Sequence, residues 1–352
     1  MRKFARIEPI GDIICPMAAA TDSDAAERRS GSYALALLAV PLNGALLTEL
    51  FDGPMRLADL RRSSGAAPQS TVRARLKALE AGEMMARQAR EGSLGVVDFA
   101  LTQAGVDLLL VLAALERWLQ LAPEGPLAFG TAAATAAIKA LEGGWSSTML
   151  AALSGGPLSL GDLSRDIERV SFPSLARRLT AMRRSRQVQA CPRDGHDTRY
   201  EVTEWLQQSV APLAAAVRWE QIHFADDTRP MARLDVEAAF LLALPLLRME
   251  STLGGSCRLE VEIKDEESLI CGAVATVERG RVVSSVGGAR GVADSWASGS
   301  PLEWARTMSG DGDGDGDGDD LEVGGDKLLA AGLLAGLNGA LFGAEAEDPP
   351  AT

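Results

Sequence analysis

The sequence predicts an α+β protein: two tandem copies of one helix–helix–helix–hairpin–helix unit, followed by a small α/β domain. Three observations lead there. The chain resembles itself at a fixed spacing, each copy switches from helical to alternating periodicity at the same point, and composition changes near residue 229.

The self-similarity is detailed. Leu50-Phe51-Asp52-Gly53-Pro54 returns as Leu153-Ser154-Gly155-Gly156-Pro157, 103 residues on. Leu57-Ala58-Asp59-Leu60 returns as Leu160-Gly161-Asp162-Leu163, and Arg75-Leu76-Lys77-Ala78-Leu79 as Arg178-Leu179-Thr180-Ala181-Met182, at the same offset. Further on the offset is 101: Phe99-Ala100-Leu101-Thr102 pairs with Tyr200-Glu201-Val202-Thr203, and Arg117-Trp118 with Arg218-Trp219. One two-residue deletion between positions 80 and 99 accounts for the change.

The elements follow in order. A helix over about 32–52, and again over 133–155, ends at Gly-Pro, because proline cannot continue a helix and glycine permits the turn. Short helices are expected at Leu57–Ser63 and Leu160–Ile167, then a turn, then third helices at Gln69–Ala81 and Ser174–Ser185. Two strands with a polar tip come next: Glu83–Arg90 with Val96–Leu101, and Arg186–Cys191 with Arg199–Val202. Thr102 and Thr203 cap a last long helix ending near Trp118 and Trp219. That string is a winged helix-turn-helix, in which the third helix enters the DNA major groove.

On the first third helix, Val72, Leu76 and Leu79 recur at core spacing, which turns Ser70, Ala74 and Lys77 outward with Gln69, Thr71 and Arg73 beside them. The second has Leu175, Leu179 and Met182 inward, and Pro173, Arg177 and Thr180 outward, flanked by Ser174. Arg75 and Arg178 lie near the core edge, placed for a phosphate rather than a base. Arg90, Arg193 and His196 fall in the wing tips, within reach of the DNA backbone. Arginines on a helix face can equally be plain solvated charge; the hairpin and the duplication favour double-stranded DNA as the partner.

The net charge of −13 fits this once divided. Residues 1–29 and 30–123 are each neutral and 124–228 carry −1, whereas 229–352 hold ten basic against twenty-two acidic side chains. Charge acts locally through salt, so an acidic last third does not exclude a basic face elsewhere. Cys15, Cys191, Cys257 and Cys271 are scattered, and the two histidines are far apart, so neither a structural zinc nor a disulfide framework is expected. No run of 18 apolar residues occurs, and the N-terminus is a poor signal peptide; the expectation is a cytoplasmic protein without membrane contact.

Both units resemble the HxlR family of bacterial winged-helix regulators. In the second, the resemblance rests on Gly143-Gly144-Trp145, Leu153, Gly156-Pro157, Leu163 and Arg178-Leu179; in the first, on Gly53-Pro54, Asp59-Leu60-Arg61-Arg62, Arg75-Leu76, Leu79-Glu80 and Leu101-Thr102. The first unit departs by having Pro41-Leu42 where the pattern has Gly-Gly-Arg-Trp. The resemblance implies a transcription regulator and a dimer joined through the terminal helix. With two units in one chain, the expected form is a monomer acting as a pseudo-dimer, or else a homodimer. The alternative, that one unit reads DNA and the other is scaffold, stays open.

The domain boundaries expected are 1–29 for an extension, 30–123 and 124–228 for the two units, 229–345 for an α/β domain and 346–352 for a tail. In the α/β domain a helix opens at Asp235, and strands are expected at Cys257–Lys264, Leu269–Glu278 and Arg281–Val286. Ala293–Ala297 and Pro301–Met308 read as short helices, 310–320 as an acidic low-complexity loop without EF-hand spacing, and Asp326–Phe342 as a core helix. This order resembles the sterol-carrier-protein-like fold, which implies an apolar small-molecule effector lined by Leu244, Leu247, Trp296, Trp304, Leu333 and Leu337. An ordinary dry core accounts for the same residues. No catalytic constellation, phosphate loop or cofactor motif is present, so the protein reads as a binder rather than an enzyme, with sequestration of a hydrophobic metabolite as the alternative to regulation.

Overall fold

The computed structural model describes residues 31–342 apart from 64, 66, 90–96, 143–146, 168–169, 192–197, 225–232, 264–268, 302, 305–306 and 308–320. The extension 1–29, the acidic loop 310–320 and the tail 346–352 lie outside the described residues.

The first unit runs α1 (Ser32–Leu38), α2 (Pro41–Phe51), α3 (Leu57–Ser63), α4 (Gln69–Ala81), β1 (Met85–Ala89), β2 (Val97–Leu101) and α5 (Gln103–Gln120). The single helix expected over 32–52 is two helices bent by 86°. Pro41 causes the break: it lacks an N–H and disfavours helical backbone at the residue before it, and Val40 is extended at φ −97°, ψ 104°. No single helix is long and apolar enough to cross a membrane.

Residues 132–223 present the same order of elements: α6 (Ala132–Glu142), α7 (Ser147–Leu153), β3 (Leu158–Ser159), α8 (Leu160–Asp166), α9 (Phe172–Arg184), β4 (Val188–Cys191), β5 (Arg199–Val202), α10 (Glu204–Gln208) and α11 (Val210–His223). The helix expected over 133–155 is likewise divided, and Gly143-Gly144-Trp145 at the division lie outside the described residues. The long last helix is interrupted at Ser209, where Pro212 cannot supply an N–H to the preceding turn.

The two units agree in detail. Leu46, Leu47, Leu50, Leu60, Val72, Leu76 and Leu79 are buried in the first, and Met149, Leu150, Leu153, Leu163, Leu175, Leu179 and Met182, each 103 residues later, are buried in the second. Met55 bridges to Phe99 as Leu158 pairs with Tyr200. Glu83 and Arg186, at the turn into each hairpin, both have positive φ, 63° and 61°. The helix caps match too: Thr102 Oγ1 accepts from Gly105 N and Thr203 Oγ1 from Leu206 N, and each hydroxyl donates back to the carbonyl of that turn residue. The second unit adds a capping box at Ser159 and Asp162. Hydrogen bonds from the Ser159 hydroxyl and N–H hold the Asp162 carboxyl below its ordinary range, a contribution present at neutral pH and lost as pH falls through that lowered value.

The remaining residues form α12 (Arg233–Ala243), a 3₁₀ turn at Leu244–Leu246, strands β6 (Gly255–Ile263), β7 (Leu269–Glu278), β8 (Arg281–Gly287), β9 (Ser295–Gly299) and β10 (Glu322–Gly325), and α13 (Lys327–Phe342). The sheet order is β10-β9-β6-β7-β8, antiparallel except for β6 with β9. Cys257, Leu259, Val261 and Ile263 of β6 alternate into the core, as a strand with one buried face requires. The short helix expected at Ala293–Ala297 is instead strand β9. It fills the edge of β6, and its Ser, Trp and Gly residues are weak helix formers that yield to that pairing. Gly324 in β10 permits this, since a Cβ there would lie 2.4 Å from the Trp296 indole. Of the helix expected at Pro301–Met308, several residues lie outside the described set. Helix α12 packs on β7 and on α7, and α13 packs on β9 and on α11, so this domain sits against the second unit.

Candidate nucleic-acid interface

Helix α4 forms because apolar residues recur at one face, and it ends before the left-handed turn residue Glu83; only Val72, Leu76 and Leu79 are buried along its thirteen residues. That leaves Gln69, Ser70, Thr71, Arg73 and Lys77 exposed, with Arg75 half-buried at the core edge. On α9, Leu175, Leu179 and Met182 are buried. Arg177 and Arg178 are exposed and Ser174 is half-buried. Arg90, Arg193 and His196 lie outside the described residues. Further exposed cations flank both helices: Arg61 and Arg62 on α3, and Arg183 and Arg184 at the end of α9. Arg62 is held by Asp59 at 2.7 Å, and the guanidinium of Arg183 lies over the Tyr200 ring, 5.5 Å from its centroid. The sequence reading did not place these four at the interface. Exposed cations therefore recur along both helices, on rigid elements, which is what docking on phosphates requires.

Each unit's terminal helix reaches across to the other. The Trp118 indole N–H donates to the carbonyl of Trp205 at 2.8 Å, and the Trp219 indole N–H donates to the carbonyl of Ala104 at 2.8 Å. At the offset of 101, Trp118 corresponds to Trp219 and Ala104 to Trp205, so the two bonds are one contact made twice in exchanged roles. Trp205 also stacks on Trp118, with centroids 4.5 Å apart and 6° between planes, and donates to its carbonyl at 3.0 Å. Helices α5 and α11 pack together, as do α1 and α6.

Residues 42–124 match the family model described as HxlR-like helix-turn-helix. No curated protein matches the chain. The HxlR-like domain therefore spans α2 through α5 and includes the exposed face of α4, which marks it as a DNA-binding module of the kind found in transcription regulators.

The six residues proposed from sequence to line an apolar site are placed differently from the interface. Leu244, Leu247, Leu333 and Leu337 are 0–1% exposed. Trp304 is buried with its indole N–H on the Glu260 carbonyl at 2.7 Å, and Trp296 lies half-buried over Gly324. Leu244, Leu247, Trp304, Leu333 and Leu337 belong to the hydrophobic core. A separate cleft of about 190 Å³ opens between the second unit and the sheet domain, with Leu153, Pro157 and Glu201 on one wall and Leu241, Pro245 and Ser285 on the other. Among the described residues no group of three or more His, Cys, Asp or Glu could hold a metal ion.

Proposed function

We propose that the protein is a DNA-binding transcription regulator whose two winged units form a dimer within one chain, each with a recognition helix, α4 and α9. The observation that carries this is the exchanged pair of indole hydrogen bonds, Trp118 to Trp205 and Trp219 to Ala104. Exchange of the same contact is the signature of a two-fold interface, in which residue i meets j and j meets i. A two-fold pair of winged units presents two recognition helices to successive half-sites, about one helical turn apart.

The test is a binding titration against duplexes selected by the full-length protein. Arg73→Ala and Arg177→Ala are each expected to weaken binding about tenfold, and each to flatten the salt dependence of binding by about one counterion. Equal losses support two readers. Loss from one alone leaves the other unit as scaffold, and absence of any preferred duplex at low salt removes the regulator reading.

The cleft between the second unit and the sheet domain supports control by a small molecule. Its walls mix leucine and proline side chains with Ser154, Glu201, Gln207 and Ser285, and Glu201 and Val202 belong to the wing strand β5, so a small occupant with both apolar and hydrogen-bonding groups would bear directly on the wing. An organic extract of the host cells is expected to shift the DNA affinity of the native chain, and Leu241→Trp, which fills the cleft, is expected to abolish the shift while still binding DNA. An equal response in both proteins takes the cleft out of the reading. Sequestration of a hydrophobic metabolite, with the winged units as scaffold, would show instead as ligand binding with no preferred duplex.

A further inference from the structure

At the offset of 103, the first residue of α4, Gln69, corresponds to the first residue of α9, Phe172. Gln69 is an exposed amide; Phe172 is an aromatic ring left 52% exposed. It does not join the hydrophobic core of the unit, whose contribution from α9 is Leu175, Leu179 and Met182. Nor does helix formation ask for it. Ser171 sets the extended entry at φ −63°, ψ 144°, and Pro173 supplies the fixed φ of the first turn. Exposed apolar area is unfavourable in water, by roughly 25 cal/mol per Å². Phe51, Leu110 and Ile222 are as exposed, so exposure alone calls for no partner; what sets Phe172 apart is its place at the start of α9, on the same helix as the exposed Arg177 and Arg178, where a bound duplex would cover it.

The major groove offers few apolar groups. On base edges it presents nitrogen and oxygen acceptors, amino donors, and the methyl at C5 of thymine, which 5-methylcytosine also carries. A phenyl ring can meet only the methyl without stranding a polar edge, because it has no hydrogen bond to return. The amide of Gln69 has the opposite preference and fits the paired acceptor and donor of adenine. We infer that Phe172 reads a pyrimidine C5-methyl group in the major groove, and that the half-site under α9 therefore differs from the half-site under α4 at the corresponding base pair. This rests on the DNA-binding reading above and names what one of its helices selects. The site would be directional: one end marked by a methyl group, the other by an adenine.

The experiment uses full-length protein and a duplex enriched by it from a random pool. Each thymine is replaced in turn by deoxyuridine, which removes the methyl and keeps the base pair. At one position in one half-site the native protein is expected to lose roughly three- to tenfold in affinity, the worth of a single buried methyl contact. Phe172→Ala should bind the thymine duplex with the same deficit and be indifferent to the deoxyuridine change, while Gln69→Ala should keep the native sensitivity at that position. Because Phe172 is outside the core, Phe172→Ala is expected to melt with the native protein. Replacing that thymine by 5-methylcytosine separates the two sources of the methyl: retained binding marks the methyl alone as the determinant, and lost binding marks thymine. An enriched duplex on which every deoxyuridine substitution is silent overturns this inference and leaves the DNA-binding reading standing. Failure to enrich any duplex overturns both.

Discussion

Replacing Glu220 with alanine is expected to lower the unfolding free energy by about 3–5 kcal/mol. Glu220 lies on α11 of the second unit and is only 6% exposed. Its carboxylate accepts from Gly31 N at 2.7 Å, Tyr33 N at 2.8 Å and Ala34 N at 3.1 Å. These are first-turn N–H groups of α1, which have no partner within their own helix, and the positive end of the helix dipole meets the negative charge. Gly31 makes the approach possible by taking φ 84°, a left-handed conformation that side chains resist. Removing the carboxylate strands buried donors and frees α1 from the second unit. Loss of α1 also withdraws Tyr33, whose ring packs against Trp219 and Phe224. Urea unfolding measures the difference. Glu220→Gln, which keeps one acceptor oxygen and the shape, should recover about half of it. A Glu220→Ala protein within 1 kcal/mol of the native one would show that α1 is held by its apolar contacts alone.

The second large effect is expected at Trp219. Trp219→Ala should cost about 3–5 kcal/mol, because the side chain is 2% exposed and its removal leaves a cavity that Tyr33, His223 and Phe224 cannot all collapse into. Trp219→Phe keeps most of that packing but leaves the Ala104 carbonyl without its indole donor, and about 1–2 kcal/mol is expected. The two variants separate packing from the hydrogen bond within one position. Trp118→Ala is the counterpart on the other side of the interface, and together with Trp219→Ala it should fall short of the sum of the single effects, since both sites hold the same pair of helices. Additive losses would mean that α5 and α11 do not act as one interface.

Local patterns in the sequence carry much of this architecture. Helix α4 keeps the bounds Gln69–Ala81 expected for it, because the spacing of Val72, Leu76 and Leu79 sets the helical period against the core. Strand β7 keeps its bounds of Leu269–Glu278 for a similar reason: small and β-branched residues run between two turn signals. The expectations that fail are those decided elsewhere in the chain. The stretch Ser295–Gly299 is a strand because β6 offers it an edge, and nothing within those five residues says so. The break at Pro41 is visible as a residue, yet proline is also welcome at a helix start, and only the 86° bend shows that it begins a new helix. At the candidate interface, outward positions on α4 and α9 follow from helical geometry alone. The crossing of Trp118 to Trp205 and Trp219 to Ala104 does not, since the offset pairs Trp118 with Trp219 and is silent on which carbonyl each indole finds. The helix expected from Ser174 begins two residues earlier, at Phe172, so the ring at its first position was not legible as part of the exposed helix start.

The exchanged tryptophan contacts have one more consequence, and it concerns dilution. A dimer of separate chains pairs only as often as concentration allows, and it can trade partners with any related subunit in the same cell. Here the second half arrives through residues 121–131, which join α5 to α6, and a tether of that length keeps it at an effective concentration in the millimolar range. In the proposed one-chain dimer, pairing of the two halves is then independent of copy number.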